Sequence, residues 1–206
     1  MTRVKICGLT AAEDAAAAVE AGADALGFVF VPGTPRCISP ERAAAIIAAL
    51  PPLVSAVGVF VDQPLDEVAA ITTACRLQAV QLHGNEPPAY CRRLSVPVIK
   101  AIRVRGPESL AALEGYPAQA FLLDAFVEGQ PGGTGATFPW ALAREATRHG
   151  RIILSGGLRP ETVAEAVRTI RPFGVDVSSG VERRPGLKDH EKVREFIVAV
   201  RRADLS

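Results

Sequence analysis

Short apolar runs of strand type return along this chain at intervals of roughly 20 to 30 residues, and alanine-rich stretches of helical period separate most of them. The runs cover residues 4–7, 25–31, 54–61, 77–82, 96–102, 120–123, 152–154 and 174–177, and the amphipathic stretches residues 11–21, 40–50, 65–74, 138–148, 160–170 and 188–201. Shorter helical stretches are expected at 87–94 and 107–113. Ser39-Pro40, Asn85-Glu86-Pro87 and Arg159-Pro160 place a proline where a first helical turn accepts it. Strict βα alternation selects a parallel sheet with helical cover. A doubly wound open sheet rarely uses eight strands at this length, so the expected fold is an α/β (β/α)8 barrel of the TIM type. No linker or low-complexity tract divides the sequence, and residues 1–206 are expected to form one barrel domain.

Composition narrows the partners. The 206 residues carry 23 Lys plus Arg against 22 Asp plus Glu, a net charge of +1, so no global field draws in a nucleic acid. Any anion site must be local. The longest apolar run, near residues 26–31, is far too short to span a membrane, and the first residues lack the apolar stretch of a signal peptide. Cys7, Cys37, Cys75 and Cys91 lie far apart with no CxxC spacing, which fits reduced thiols in a cytoplasmic protein.

The loops after strands seven and eight are the most informative. Strand seven ends in Leu154-Ser155-Gly156-Gly157-Leu158 and strand eight in Asp176-Val177-Ser178-Ser179-Gly180-Val181. In a barrel these loops are neighbours, glycine lets backbone N–H groups approach an anion, and a helix amino terminus adds its positive end. Gly156, Gly157, Ser178, Ser179 and Gly180 are therefore expected to cradle a phosphate; the plainer alternative is tight turns alone.

Two groups suit proton transfer. Alternation on strand one puts Lys5 and Cys7 on one face, with Cys7 at the barrel's carboxyl rim, and strand six delivers Asp124 to the same rim. A carboxyl at an apolar rim can serve as an acid, and a thiol near a cation as a base once ionised. Cys7 as a small buried hydrophobe, and Asp124 as an ion-pair partner or helix cap, are the competing readings; Asp62 and Asp176 also sit near strand ends. Arg36, in a turn-rich loop after strand two, can aim a guanidinium at an anion, and His83 ends strand four. His149 and His190 earn no role. Lys5 and Lys100 lie in strands and read best as ion-paired inside the barrel. No grouped His, Asp or Glu spacing suggests a metal, no GxSxG or Walker A sequence is present, and Phe138 breaks the glycine fingerprint begun at Gly133-Thr134-Gly135.

Taken together, Val4-Lys5-Ile6-Cys7-Gly8, Gly27-Phe28-Val29-Phe30 through Pro35-Arg36, Val57-Gly58-Val59-Phe60, Gln81-Leu82-His83-Gly84, Leu122-Leu123-Asp124, Gly132-Gly133-Thr134-Gly135 and the two Gly-Ser loops through Glu182 resemble the phosphoribosylanthranilate isomerase family nearly end to end. The resemblance implies a cofactor-independent Amadori rearrangement in tryptophan biosynthesis on a small phosphosugar-anthranilate substrate. It implies Asp124 as general acid, Cys7 as general base, Arg36 on the anthranilate carboxylate, and His83 and Asp176 lining the pocket. A monomer or weak homodimer is expected. Cys37, Ala136 and Pro139 depart from the family pattern. A histidine-pathway sugar isomerase, an indole-glycerol-phosphate synthase or a silent phospho-ligand sensor are the alternatives. Strand three ends in Val61-Asp62 without the lysine expected of the synthase, and strand one offers Cys7 where the histidine-pathway enzyme would favour an aspartate.

Overall fold

The computed structural model describes residues 1–125 and 140–205. Eight parallel strands, β1 (Arg3–Cys7), β2 (Ala25–Val29), β3 (Ser55–Phe60), β4 (Ala79–Leu82), β5 (Val98–Val104), β6 (Ala120–Ala125), β7 (Ile152–Ser155) and β8 (Gly174–Val177), close into a barrel in chain order. Pairing of Arg3 with Gly174 through Ile6 with Val177 joins the last strand to the first, so the sheet has no open edge. Each strand-type run in the sequence is one of these strands.

Strands buried on both faces need apolar residues at successive positions. Val4, Ile6, Leu26, Phe28, Val80 and Leu82 pack outward against the helices in the main core, whereas Ile99, Ala101, Ala120, Leu122 and Ile153 form a separate cluster inside the barrel. Small side chains among the latter suit the narrow interior. The covering helices are α1 (Ala12–Glu20), α2 (Pro40–Ala48), α3 (Leu65–Ala74), α4 (Pro88–Cys91), α5 (Glu108–Ala111), α6 (Trp140–Ala146), α7 (Pro160–Ile170) and α8 (His190–Asp204). Ser39 caps α2 by accepting from the Arg42 amide at 3.3 Å, with Pro40 in the first turn. α8 closes the structure against the start of the chain: Arg201 Nη1 donates to the Thr2 carbonyl at 2.6 Å, and the Thr2 amide donates to Asp204 Oδ2 at 2.8 Å.

Three local readings change. The helical stretch expected from residue 188 begins at His190, because Asp189 accepts from the Glu191 and Lys192 amides and caps it. Lys188 instead belongs to an antiparallel hairpin, β9 (Glu182–Arg184) with β10 (Leu187–Lys188), whose turn holds Gly186 at φ 81°. Lys100 is ion-paired, but on the strand face it shares with Ile102, toward the helical layer, where its ammonium meets Glu86 at 2.9 Å. Most of the long loop expected after strand six, including Gly132, Gly133, Thr134, Gly135, Ala136, Phe138 and Pro139, lies outside the described residues.

Candidate active site

A cavity of about 760 Å³ opens at the carboxyl ends of the strands. Cys7, Arg36, His83, Asp124, Asp176, Gly156, Gly157, Ser178, Ser179 and Gly180 all line it, so these ten residues reach one space. They arrive from β1, β6 and β8 and from the loops after β2, β4, β7 and β8.

Cys7 is buried at the end of β1. Inside the barrel next to it, Lys5 Nζ donates to Asp176 Oδ1 at 2.7 Å, and Ser155 Oγ donates to Asp176 Oδ2 at 2.8 Å. Burial pushes the Cys7 thiol up from its ordinary range, while the Lys5 ammonium opposes that shift. Burial also works against the Lys5 charge, but the Asp176 carboxylate and Cys7 outweigh it and hold Lys5 above the usual lysine range. Gly27, paired with Cys7 across β1 and β2, leaves the room: a Cβ there would lie 2.7 Å from Cys7 Sγ and 3.0 Å from Lys5 Nζ.

Asp124, half-buried at the end of β6, is met by His83, the residue that follows β4, with Nε2 3.3 Å from Oδ2. Gln81, two positions earlier on β4, places its amide nitrogen 3.0 Å from His83 Nδ1. In this arrangement Gln81 donates to Nδ1 and the Nε2–H faces the Asp124 carboxylate. Gln81 is a site residue that the sequence reading missed, although strand alternation puts it on the same face as His83.

Arg36 does not stand free at the rim. Its Nε donates to Glu182 Oε1 at 2.9 Å and its Nη2 to Glu182 Oε2 at 2.7 Å, a two-point hold across the cavity wall. Lys188, wholly buried, donates to Glu182 Oε1 at 2.8 Å and to the Ser178 carbonyl at 3.2 Å. Burial alone would raise the Glu182 carboxyl, yet Arg36 and Lys188 together hold it below its ordinary range. Lys188 is lowered by burial against the pull of Glu182. Lys188 had no readable signal and Glu182 entered only as the last residue of a family-like motif, because both sit on the hairpin that interrupts the expected βα pattern.

The two Gly-Ser loops interlock. Gly156 and Gly157 take left-handed φ values of 82° and 70°, which glycine adopts without strain. A Cβ on Gly180 would collide with the Leu158 carbonyl, so the loop after β8 passes directly over the loop after β7. The Ser178 hydroxyl is buried without a hydrogen-bond partner, and the loop after β7 leads into the amino terminus of α7. Backbone N–H groups, a hydroxyl and a helix end are the kinds of group that can receive an anion.

The other acid and histidine candidates stand apart. Asp62 accepts from the Asn85 amide at 2.6 Å beside a neighbouring cavity, His190 Nε2 lies 2.7 Å from Asp14, and His149 Nδ1 lies 3.6 Å from Glu114. Among the described residues no group of three or more His, Cys, Asp or Glu side chains is arranged to hold a metal ion, and no helix is long and apolar enough to cross a membrane.

Residues 4–199 match the profile of the family described as N-(5'-phosphoribosyl)anthranilate (PRA) isomerase. The chain belongs to that family. An N-(5'-phosphoribosyl)anthranilate isomerase of Citrifermentans bemidjiense is 56% identical over 205 residues, 100% of each chain. The crystal structure of phosphoribosyl anthranilate isomerase from Thermotoga maritima superposes with a TM-score of 0.91 at 46% identity, covering 98% of this chain and 99% of that one. A further phosphoribosyl anthranilate isomerase, solved in complex with reduced 1-(o-carboxyphenylamino)-1-deoxyribulose 5-phosphate, matches with a TM-score of 0.87 at 43% identity over 98% and 99% of the two chains. The chain shares the family's activity: it isomerises the small molecule N-(5'-phosphoribosyl)anthranilate, a step in tryptophan biosynthesis.

Proposed function

We propose that this chain runs the Amadori rearrangement with Asp124 as general acid and Cys7 as general base, the phosphate held between the loops after β7 and β8. The observation that carries the reading is the placement of Cys7 and Asp124 on well-separated strands of one barrel, both lining the cavity that the two loops border. Asp124 protonates the furanose ring oxygen; the C1'–O bond breaks as the anilino nitrogen lone pair forms C1'=N. Cys7, as thiolate, takes the C2' proton, and the electron pair released neutralises the iminium to give an enolamine. Transfer of the enol hydroxyl proton to C1' completes the ketone, 1-(2-carboxyphenylamino)-1-deoxyribulose 5-phosphate, and solvent resets the two groups. Acid and base placed in this way can each act on its own atom of one bound substrate.

Arg36 binds the anthranilate carboxylate with the guanidinium edge that Glu182 leaves open, and His83 and Asp176 line the pocket between ring and sugar. Gly156, Gly157, Ser178, Ser179 and Gly180 receive the phosphate. The same reading puts the chain in the cytoplasm as one barrel domain, supported by four cysteines that are all free thiols. The test is to generate the labile substrate in situ and follow the decay of anthranilate fluorescence with the purified protein. Turnover that depends on protein concentration is expected, and its absence would remove the assignment.

A further inference from the structure

Arg36, Glu182 and Lys188 form a chain of charge in which Arg36 and Glu182 border the cavity and Lys188 does not. The Arg36 side chain is 27% exposed, that of Glu182 4%, and that of Lys188 not at all. Glu182 grips the Nε and Nη2 edge of the guanidinium, so the edge formed by Nη1 and the second Nη2 hydrogen remains for another carboxylate. This hold fixes the direction of Arg36, but by itself it would also cancel the charge that a carboxylate seeks. Lys188 removes that conflict: two cations and one carboxylate leave the trio with one net positive charge.

We propose that Lys188 is the buried counter-charge that neutralises Glu182, so that Arg36 is both rigidly aimed and still cationic toward the anthranilate carboxylate. Glu182 and Lys188 are positioning residues, since neither lies between Arg36 and the cavity. The Lys188 ammonium also donates to the Ser178 carbonyl, and a Cβ on Gly8 would meet both Arg36 Cδ, at 2.7 Å, and Ser178 Oγ, at 3.0 Å. The carboxylate arm and the phosphate loop therefore share one support. The inference rests on the proposed role of Arg36 and adds what makes that role workable in a site where its obvious partner is already a carboxylate.

The experiment measures binding of two probes, reduced 1-(o-carboxyphenylamino)-1-deoxyribulose 5-phosphate and the same compound without the carboxyl group. Lys188→Met should weaken the carboxylated probe by about tenfold or more while leaving the other within about twofold, as expected for loss of a charge-assisted contact. In turnover the loss should fall mainly on KM. The double variant Lys188→Met/Glu182→Gln restores the net charge and should recover most of the preference for the carboxylated probe. Equal weakening of both probes, or a double variant no better than the single one, would overturn the proposal. If Lys188→Met does not fold, the double variant compared with wild type decides: a kept preference supports the proposal and a lost one overturns it. Arg36→Met separates the two levels, because a variant that keeps the preference would overturn the role of Arg36 itself and the proposal with it.

Discussion

The Lys5 ammonium and the Asp176 carboxylate meet at 2.7 Å inside the barrel, on neighbouring strands and next to the Cys7 thiol. An isolated ammonium or carboxylate at this depth would be costly, and pairing lets both remain charged. The consequence for chemistry is that Cys7 feels a fixed cation and a fixed anion at once, in a place where burial already disfavours the thiolate.

The first prediction concerns pH. A base acts only when deprotonated, so kcat/KM should climb as pH rises toward the elevated Cys7 value. Lys5 favours the thiolate, so Lys5→Met should move this climb to higher pH. A pH–rate profile that stays in place or moves to lower pH would separate the titrating group from Cys7.

The interlock of the two loops gives the second. Gly180→Ala puts a methyl group onto the Leu158 carbonyl, so the loops must part and the anion site widen. KM should rise by about tenfold or more with a smaller effect on kcat, since a uniformly bound phosphate is the contact disturbed. Competition by inorganic phosphate should weaken in parallel, and unchanged phosphate inhibition would contradict the placement of this ligand.

The third is a stability prediction at the other end of the barrel. Burial would raise the Asp24 carboxyl, but hydrogen bonds from Arg201, Arg3 and the Val4 amide hold it below its ordinary value of 3.8. A depressed carboxylate adds stability that is complete above its unfolded value and is lost as pH falls through the folded one. Asp24→Asn should cost about 1–2 kcal/mol at neutral pH, the lower figure if solvent screening at this partly exposed site is strong. Denaturant melts should show that difference shrinking below about pH 4; a constant difference would rule out the ionised form as its source.

The barrel was legible because each βα unit repeats the same evidence, an apolar run followed by an amphipathic stretch, and because strand ends in this fold point at one place. That is why Cys7, His83, Asp124 and Asp176 could be placed at one rim from their positions at strand ends. Their partners were less accessible. Lys5 and Asp176 are 171 positions apart and Arg36 and Glu182 are 146 apart, and no local pattern links residues at such separations. The hairpin carrying Glu182 and Lys188 was hidden for a different reason: its strands are too short to show a period, and Lys188 adjoins a strongly amphipathic helix that absorbs it. Gln81 was within reach, on β4 two positions before His83, but a neutral amide gives no chemical signal until its partner is seen.

The central claim is that Cys7 and Asp124 share the proton transfers. The most direct measurement is turnover of in situ generated substrate by Cys7→Ala and Asp124→Asn, beside binding of reduced 1-(o-carboxyphenylamino)-1-deoxyribulose 5-phosphate to each. Both variants should lose kcat by on the order of 10²-fold or more while still binding this compound. Near-normal turnover by either variant would contradict the account for that residue.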